Sequence, residues 1–510
     1  MTRRARASYV AGVTSDPTSG SRRHVVVVGG GISGLAAAER LARDEGVDVT
    51  VVEADVRLGG IVQTERVDGF LIERGPDVVV AAKPATRALC ERLGIADRLH
   101  GTSVRGAYVS RRGRLRRLPQ GLSGLMPTRL APLALSGLLS PWGLLRVAAE
   151  PLRASGDPAE EETVAAFMVR RLGREMYERI SEPLLTGIYA GAGTRLSIDA
   201  TFPQLRAMER SHGSLLRGFR ARAAAPAVAP AVAPAAGEAA PSPFLSLPTG
   251  MGELVETLEA TLARSGRVVV RRATPVRAIV APEPAAGRPA RVTLDGGETL
   301  ACDAVIVATP APMTATLLHP VDPLLSREIG AIEQGSTAHV TLGYPLADVP
   351  RALDATGYVV PSIEGRAVLA CTWASSKLPG RAPADAALFR LFVGGARRPE
   401  LVDRPDDELV AIARAELAEM LGVRAAPRLV RVTRWRGAMP QYHVGHVARV
   451  ERIEARAAAH RWLGVAGNAY RGVGVPDCIA SGERAAERVL AGFVPVDLRS
   501  AADGSATRAD

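Results

Sequence analysis

The chain has 510 residues, 47% of them hydrophobic and 23% charged, with 51 Gly, 36 Pro, 4% aromatics and a formal net charge of +11. That length calls for two or three domains sharing a large aliphatic core, and the composition is that of a globular protein. Its arginines are spread along the chain with no recognition motif beside them, which argues against nucleic acid, and Cys90, Cys302, Cys371 and Cys478 are too scattered for a disulfide framework or a zinc site, so no metal is expected and the compartment reads as a reducing cytoplasm.

Residues 1–22 carry arginines but no apolar signal-peptide core, and read as a disordered extension ahead of the fold. The strongest signal follows at once. "HVVVVGGGISGLAAAERLAR" is an apolar strand, then Gly29-x-Gly31-x-x-Gly34, then an Ala/Leu-rich helix, and "VDVTVVEA" closes the unit on Glu53. Gly29 makes the turn, Gly31 lets the backbone approach a pyrophosphate, and Gly34 lets the helix pack on the strand. Gly30, Ile32 and Ser33 complete the loop, and Glu53 is placed for ribose hydroxyls. The acid continues into Arg57 and Gly59-Gly60, a second close approach of backbone and a cation near the phosphates. The spacing E-x-x-x-R-x-G-G resembles the FAD fingerprint of the glutathione-reductase and amine-oxidase superfamily. On that resemblance the hairpin "TERVDGFLIE", turning at Asp68-Gly69, delivers Gly75, Pro76, Asp77 and Val78 to an isoalloxazine ring.

The expected fold is α/β: a discontinuous Rossmann-like FAD-binding domain, an antiparallel-sheet substrate domain and a mainly helical domain. The FAD-binding domain takes segments 23–104, 244–312 and 428–493; 105–118 is a substrate-domain hairpin, 119–222 is helical, 223–243 is an Ala/Pro linker, 313–427 is the substrate domain and 494–510 a disordered tail. Within the second FAD segment a strand at Val276 is a candidate adenine contact. Within 119–150 the longest uncharged run, "LAPLALSGLLSPWGLL", is shorter than the roughly 20 residues of a spanning helix and is broken by Pro132 and Pro141. It reads either as a buried helical pair or as a peripheral membrane contact, with Trp142 at the interface and arginines on anionic headgroups.

Near the end, "GVAGNAYRGVGVPDCIASG" is a short strand, a glycine-rich bend and a helix opening at Pro476 and Asp477. It returns to the first sheet and lays Gly472 to Val475, with Val473 and Gly474 between them, and the start of the last helix against the flavin. This phrase, with "LLTGIYAGAGTRLSIDATFPQLRAMERSHGSLLRG" and "RWRGAMPQYHVGH", resembles the protoporphyrinogen oxidase family, which includes bacterial coproporphyrinogen III oxidases, across about 24–493. The resemblance implies an FAD enzyme of haem biosynthesis. It would oxidise protoporphyrinogen IX or coproporphyrinogen III by six electrons, through hydride transfer to flavin N5, with O2 as acceptor and H2O2 released. It also adds Asn468 to the flavin contacts and places Arg105 at a substrate propionate and the Gly187 carbonyl at the pyrrole nitrogens.

Other readings stay open at this point: a related flavin amine oxidase, a carotenoid desaturase, or a flavin-fold escort protein without turnover. His443 and His446 lack the partners of a metal set and read as structural; Cys478 reads as a small buried residue, and the run Arg111–Arg117 as a solvated or membrane-facing hairpin. The choice of porphyrinogen, the physiological electron acceptor and the oligomeric state, a homodimer included, are not fixed by the sequence.

Overall fold

The computed structural model describes residues 22–157, 160–224 and 242–493; the expectations for the N-terminal extension, for most of the Ala/Pro linker and for the tail fall outside them. Five parallel strands form one sheet: β1 (Arg23–Val28), β2 (Val47–Val52), β3 (Val268–Arg271), β4 (Ala304–Val307) and β5 (Leu463–Val465). Their spatial order is β3-β2-β1-β4-β5, the doubly wound arrangement of dinucleotide folds. These strands are continuous apolar runs because both faces are covered. Val25 and Val27 point into a core with α1 (Ile32–Ala42) and α2 (Val475–Phe493), while Val26 and Val28 point into a second core with the helices Ala311–Leu318, Pro323–Gly330 and His446–Ala459.

A second sheet has seven strands, in the order Leu429–Pro440, Gln334–Pro345, Ala386–Gly394, Val368–Trp373, Gly357–Val359, Tyr108–Arg111 and Arg114–Arg117. All neighbours are antiparallel except Gly357–Val359 with Tyr108–Arg111. Two expected boundaries move. Residues 429–440 pair along their length with Gln334–Pro345, so they belong to this sheet and not to the third nucleotide segment. The helices Ala311–Leu318 and Pro323–Gly330 fill the second core under β1 and β4, so the nucleotide layer extends past 312 to about Ile332.

The described residues from 130 to 224 build the helical layer on a third core around Phe167, Ile180 and Leu185, all without solvent exposure. The short helices Leu130–Leu135 and Pro141–Ala148 bury Leu133 and Val147 but leave Leu135, Trp142 and Leu145 in solvent. Among the described residues no helix is long and apolar enough to cross a membrane.

Candidate functional site

The site begins at the turn from β1 into α1. Gly29 has φ +103°, and a Cβ on Gly34 would stand 1.9 Å from the Gly29 carbonyl oxygen, so helix and strand approach at a distance only glycine allows. A Cβ on Gly31 would meet nothing within 4 Å. The helix N-terminus has no side-chain cap and no acidic residue in its first turn. Open space in front of Gly31 and free N–H groups from Ile32 to Gly34 make the cradle a pyrophosphate requires, so these residues fit a dinucleotide.

Glu53 follows β2 at the edge of that cradle. Its carboxylate accepts the Gly30 N–H at 2.6 Å and the Asp55 N–H at 2.8 Å, which holds it beside the glycine loop. Thr274 donates its N–H to the Glu53 carbonyl at 2.8 Å, bringing the strand that starts at Val276 to the same corner. Arg57 donates to the carbonyls of Leu58, at 3.2 Å, and Gly60, at 2.7 Å. It therefore clamps the second glycine loop, whose Gly59 N–H reaches the Gly30 carbonyl at 2.8 Å.

The hairpin Thr64–Val67/Phe70–Glu73 turns at Asp68 and Gly69, both with positive φ, and leads to Gly75. A Cβ on Gly75 would lie 1.8 Å from the Ile61 carbonyl oxygen, so this loop is pressed against the second glycine loop. Its far side rests on a buried ionic group. Lys377 Nζ is 2.7 Å from Asp77 Oδ2, Arg390 Nη2 is 3.4 Å from the same oxygen, and Arg390 Nη1 donates to the carbonyls of Glu73 at 2.8 Å and Gly75 at 2.6 Å. Burial alone would raise the Asp77 carboxyl, but the two cations hold it well below the usual carboxylate range. The Asp77 side chain is thus spent on Lys377 and Arg390, and the loop is held further by the carbonyls of Gly75 and Asp77, which accept from Arg390 and from the Ser246 hydroxyl at 2.8 Å. His339 lies in the same group; burial and the Arg390 charge push it down to about 3, so it is neutral.

The third piece is the bend between β5 and α2. Gly482 of α2 packs where a Cβ would be 2.0 Å from the Ser33 carbonyl oxygen, so the first and last helices cross at the glycine loop. The Tyr442 hydroxyl donates to the Asn468 carbonyl and accepts the Gly472 N–H at 2.9 Å, tying the bend to the segment after 440. Asn468 Nδ2 donates to the Ala438 carbonyl at 3.1 Å, and Asp477, paired with Lys83 at 2.6 Å, accepts the Gly474 N–H at 3.2 Å. Val473 packs against the helical core, so this bend is where nucleotide layer and helical layer meet.

Arg105 lies exposed on the loop before Tyr108–Arg111, its carbonyl accepting from Arg117 at 3.3 Å. Gly187 is exposed in the last turn of the helix Glu182–Tyr189, where carbonyls run out of intrahelical donors. Val359, 4.0 Å from a Cβ built there, is on the strand that pairs with Tyr108–Arg111. Arg105 and Gly187 thus both neighbour the strand pair Tyr108–Arg111/Gly357–Val359, Arg105 on the loop leading into it and Gly187 against Val359. The helix carrying Gly187 reaches the third piece through Tyr189, whose carbonyl accepts from Gln441 at 3.1 Å and whose ring lies 6.1 Å from that of Tyr442.

His446 stacks on Tyr442 at 4.0 Å and bonds the Tyr470 carbonyl at 2.8 Å, while His443 faces Glu333 at 3.5 Å. Burial holds His446 down to about 4. Among the described residues no group of three or more His, Cys, Asp or Glu could hold a metal. Burial drives the Cys478 thiol up to about 12, so it is an inert neighbour of the bend. Lys377 and Arg390 were not found from sequence. The signal was present for one of them: an arginine inside the apolar run "AALFRLFVG" needs a buried partner.

The chain matches the family of flavin-containing amine oxidoreductases over residues 32–490. It is 34% identical to coproporphyrinogen III oxidase of Bacillus subtilis strain 168, over 92% of this chain and 99% of that one. With coproporphyrinogen III oxidase of Propionibacterium freudenreichii the identity is 38%, over 94% and 93%. A solved structure from Exiguobacterium sp. 255-15, provisionally assigned as a protoporphyrinogen oxidase, superposes with a TM-score of 0.78 at 34% identity, covering 92% and 98%.

Proposed function

Because the chain belongs to the family of flavin-containing amine oxidoreductases, we propose, within the FAD-dependent porphyrinogen oxidation of haem biosynthesis that its relatives perform, that its substrate is coproporphyrinogen III. The observation that carries this choice is the agreement of two curated relatives, each matched over more than nine-tenths of this chain, on that activity. Charge supports it: coproporphyrinogen III carries four propionates against two in protoporphyrinogen IX, and the chain has a net charge of +11.

Bound FAD supplies the two-electron acceptor at each step, with dioxygen as the final oxidant. The N–H groups at the start of α1 would hold its pyrophosphate, Glu53 its ribose, Arg57 and Gly60 the second phosphate wall, and Val276 its adenine. Lys377 and Arg390 fix the loop 75–78 from behind, so its backbone is rigid before a ligand arrives. Asn468 and Val473–Val475 would face the flavin ring with the N-terminal end of α2, whose dipole would favour negative charge there. On the substrate side the Gly187 carbonyl accepts from pyrrole N–H groups and the Arg105 fork takes a propionate. No carboxylate–histidine pair is needed: after a meso carbon gives up its hydride, the pyrrole N–H protons are acidic enough to leave to water, so these residues work by positioning.

The exposed Leu135, Trp142 and Leu145 beside arginines support a peripheral membrane contact for 119–150. The substrate choice is tested by steady-state oxidation of both porphyrinogens in air. A higher kcat/KM for coproporphyrinogen III is expected; a clear preference for protoporphyrinogen IX overturns it.

A further inference from the structure

One cavity lies at the opposite end of the strand Tyr108–Arg111 from Arg105. About 190 Å3 in volume, it is lined by Arg111 and Arg112 at the tip of the sheet-edge hairpin, Arg179 from the turn Tyr177–Ser181, Leu138, Ile363 and Glu364. At roughly 30 Å3 per water it has room for a phosphate group with its first oxygens. Val109 also lines the cavity; it is 1% exposed, packs in the helical core and pairs with Val359, the neighbour of Gly187.

Three arginines line this space against one lining carboxylate, Glu364, and of the three Arg179 is already bonded to Glu175 and to the Leu138 carbonyl. The carboxylate behind them, Glu175, is already engaged by Arg179 and by the N–H and hydroxyl of Ser140. Among the described residues the Arg111 guanidinium makes no hydrogen bond or ion pair. Burial and the neighbouring charges of Arg179, Arg112 and Arg116 disfavour its cationic form by more than Glu175 favours it, a cost a bound anion would reduce.

The cavity wall continues into the apolar patch. Arg179 Nη1 donates to the Leu138 carbonyl at 2.8 Å, and Leu138 sits in the turn joining Leu130–Leu135 to Pro141–Ala148. From these two helices Leu135 is 88% exposed, Trp142 80% and Leu145 58%, with Trp142 and Leu145 three apart on one face. A basic cavity opening beside unburied leucine and tryptophan has the chemistry of a lipid surface, with charge at headgroup depth and apolar side chains below it.

We propose that this cavity takes the phosphodiester headgroup of an anionic phospholipid while Leu135, Trp142 and Leu145 enter the acyl boundary, orienting the protein on the bilayer. The inference rests on the membrane contact given under Proposed function and adds a defined site to it. Its test is sedimentation of the FAD-loaded full chain with phosphatidylcholine vesicles, with and without phosphatidylglycerol. Replacing both Arg111 and Arg112 by Ala should lower partitioning onto anionic vesicles roughly 25-fold, about fivefold for each arginine, with FAD content and kcat unchanged. The matched double variant Arg114→Ala/Arg117→Ala, which removes equal charge from the other strand of the same hairpin, should lose much less. Glycerol phosphate should compete only weakly, because it lacks the acyl part.

Equal loss in the two double variants would mean a diffuse basic surface and overturn the site. Loss confined to Trp142→Ala, with both arginine pairs silent, would keep the membrane contact and remove the site. Absence of binding to any vesicle would remove both, and tight inorganic phosphate binding without vesicle binding would leave a free-anion site only.

Discussion

The nucleotide layer and the helical layer are held in opposite ways. Around β1 and α1 the contacts are aliphatic, and they are tight because glycines at 29, 34, 75 and 482 let backbones touch. In the helical layer a buried ionic cluster takes that part. Glu150 and Arg171 form an ion pair with neither side chain exposed, and Glu150 also accepts the N–H groups of Leu215 at 2.9 Å and Leu216 at 3.2 Å. Arg206 joins Glu162 at 2.8 Å and Glu209 at 2.9 Å, and Arg170 joins both acids from the other side. An aliphatic core tolerates small changes and repacks; a buried ionic cluster does not, since removing one member strands another without water.

The first prediction presses on that difference. Glu150→Ala leaves buried Arg171 with only the longer ionic contact to Glu209, at 3.4 Å, and strips the N–H groups of Leu215 and Leu216 of their acceptor; it should cost about 3–5 kcal/mol, seen as a lowered thermal midpoint and early proteolysis within the helical layer. Leu41→Val in α1, fully buried in the aliphatic core, should cost only about 1 kcal/mol. Equal losses from the two would erase the contrast.

The second separates fold from ligand in the nucleotide layer. Gly31 has φ −68° and open space before it, so Gly31→Val should fold normally yet fill the pyrophosphate position. FAD affinity should fall by about 3 kcal/mol, roughly 100-fold, read as lost flavin absorbance in a protein of unchanged circular dichroism. A yellow, fully loaded variant would detach the glycine loop from FAD.

The third concerns acid. His446 is held down to about 4 in the fold against 6.5 when free, so between those values the unfolded chain binds a proton that the native state refuses. Its contribution is therefore intact above about pH 6.5 and is lost progressively toward about pH 4, some 3 kcal/mol in all. The acid slope of the thermal midpoint should flatten in His446→Gln; an unchanged slope would assign the acid loss to other groups such as His339.

The smallest effect is expected at the exposed edge. Arg105→Ala should raise KM for the porphyrinogen roughly tenfold, about 1.4 kcal/mol for a lost charged hydrogen bond in a wet site, with FAD content untouched. An unchanged KM would take Arg105 out of the substrate site.

The same contrast explains what the sequence reveals. The β1–α1–β2 unit, its glycines and Glu53 are legible because each signal lies within a few residues and has one physical reason. The order β3-β2-β1-β4-β5 is less legible: the sequence points to a strand at Val276, but Val268–Arg271 is the strand that pairs with β2, and Val276–Val280 belongs to a separate three-stranded sheet. The ionic cluster is not legible, since Glu150, Glu162, Arg171, Arg206 and Glu209 meet only after the helices pack. Nor is the Asp77–Lys377–Arg390 group, which joins residues 300 apart or more. The strand Leu429–Pro440 was misplaced for a related reason: it directly precedes the segment returning to the nucleotide layer, and only pairing with Gln334–Pro345 shows which sheet owns it.

The central claim is that this site takes electrons from a porphyrinogen, and the most direct test is anaerobic flavin bleaching in a stopped-flow spectrophotometer. Coproporphyrinogen III should bleach the bound flavin within a turnover, protoporphyrinogen IX more slowly, and putrescine or another simple amine not at all, with colour returning on admission of air. Bleaching by the amine, or a flavin left fully yellow by both porphyrinogens, would contradict it.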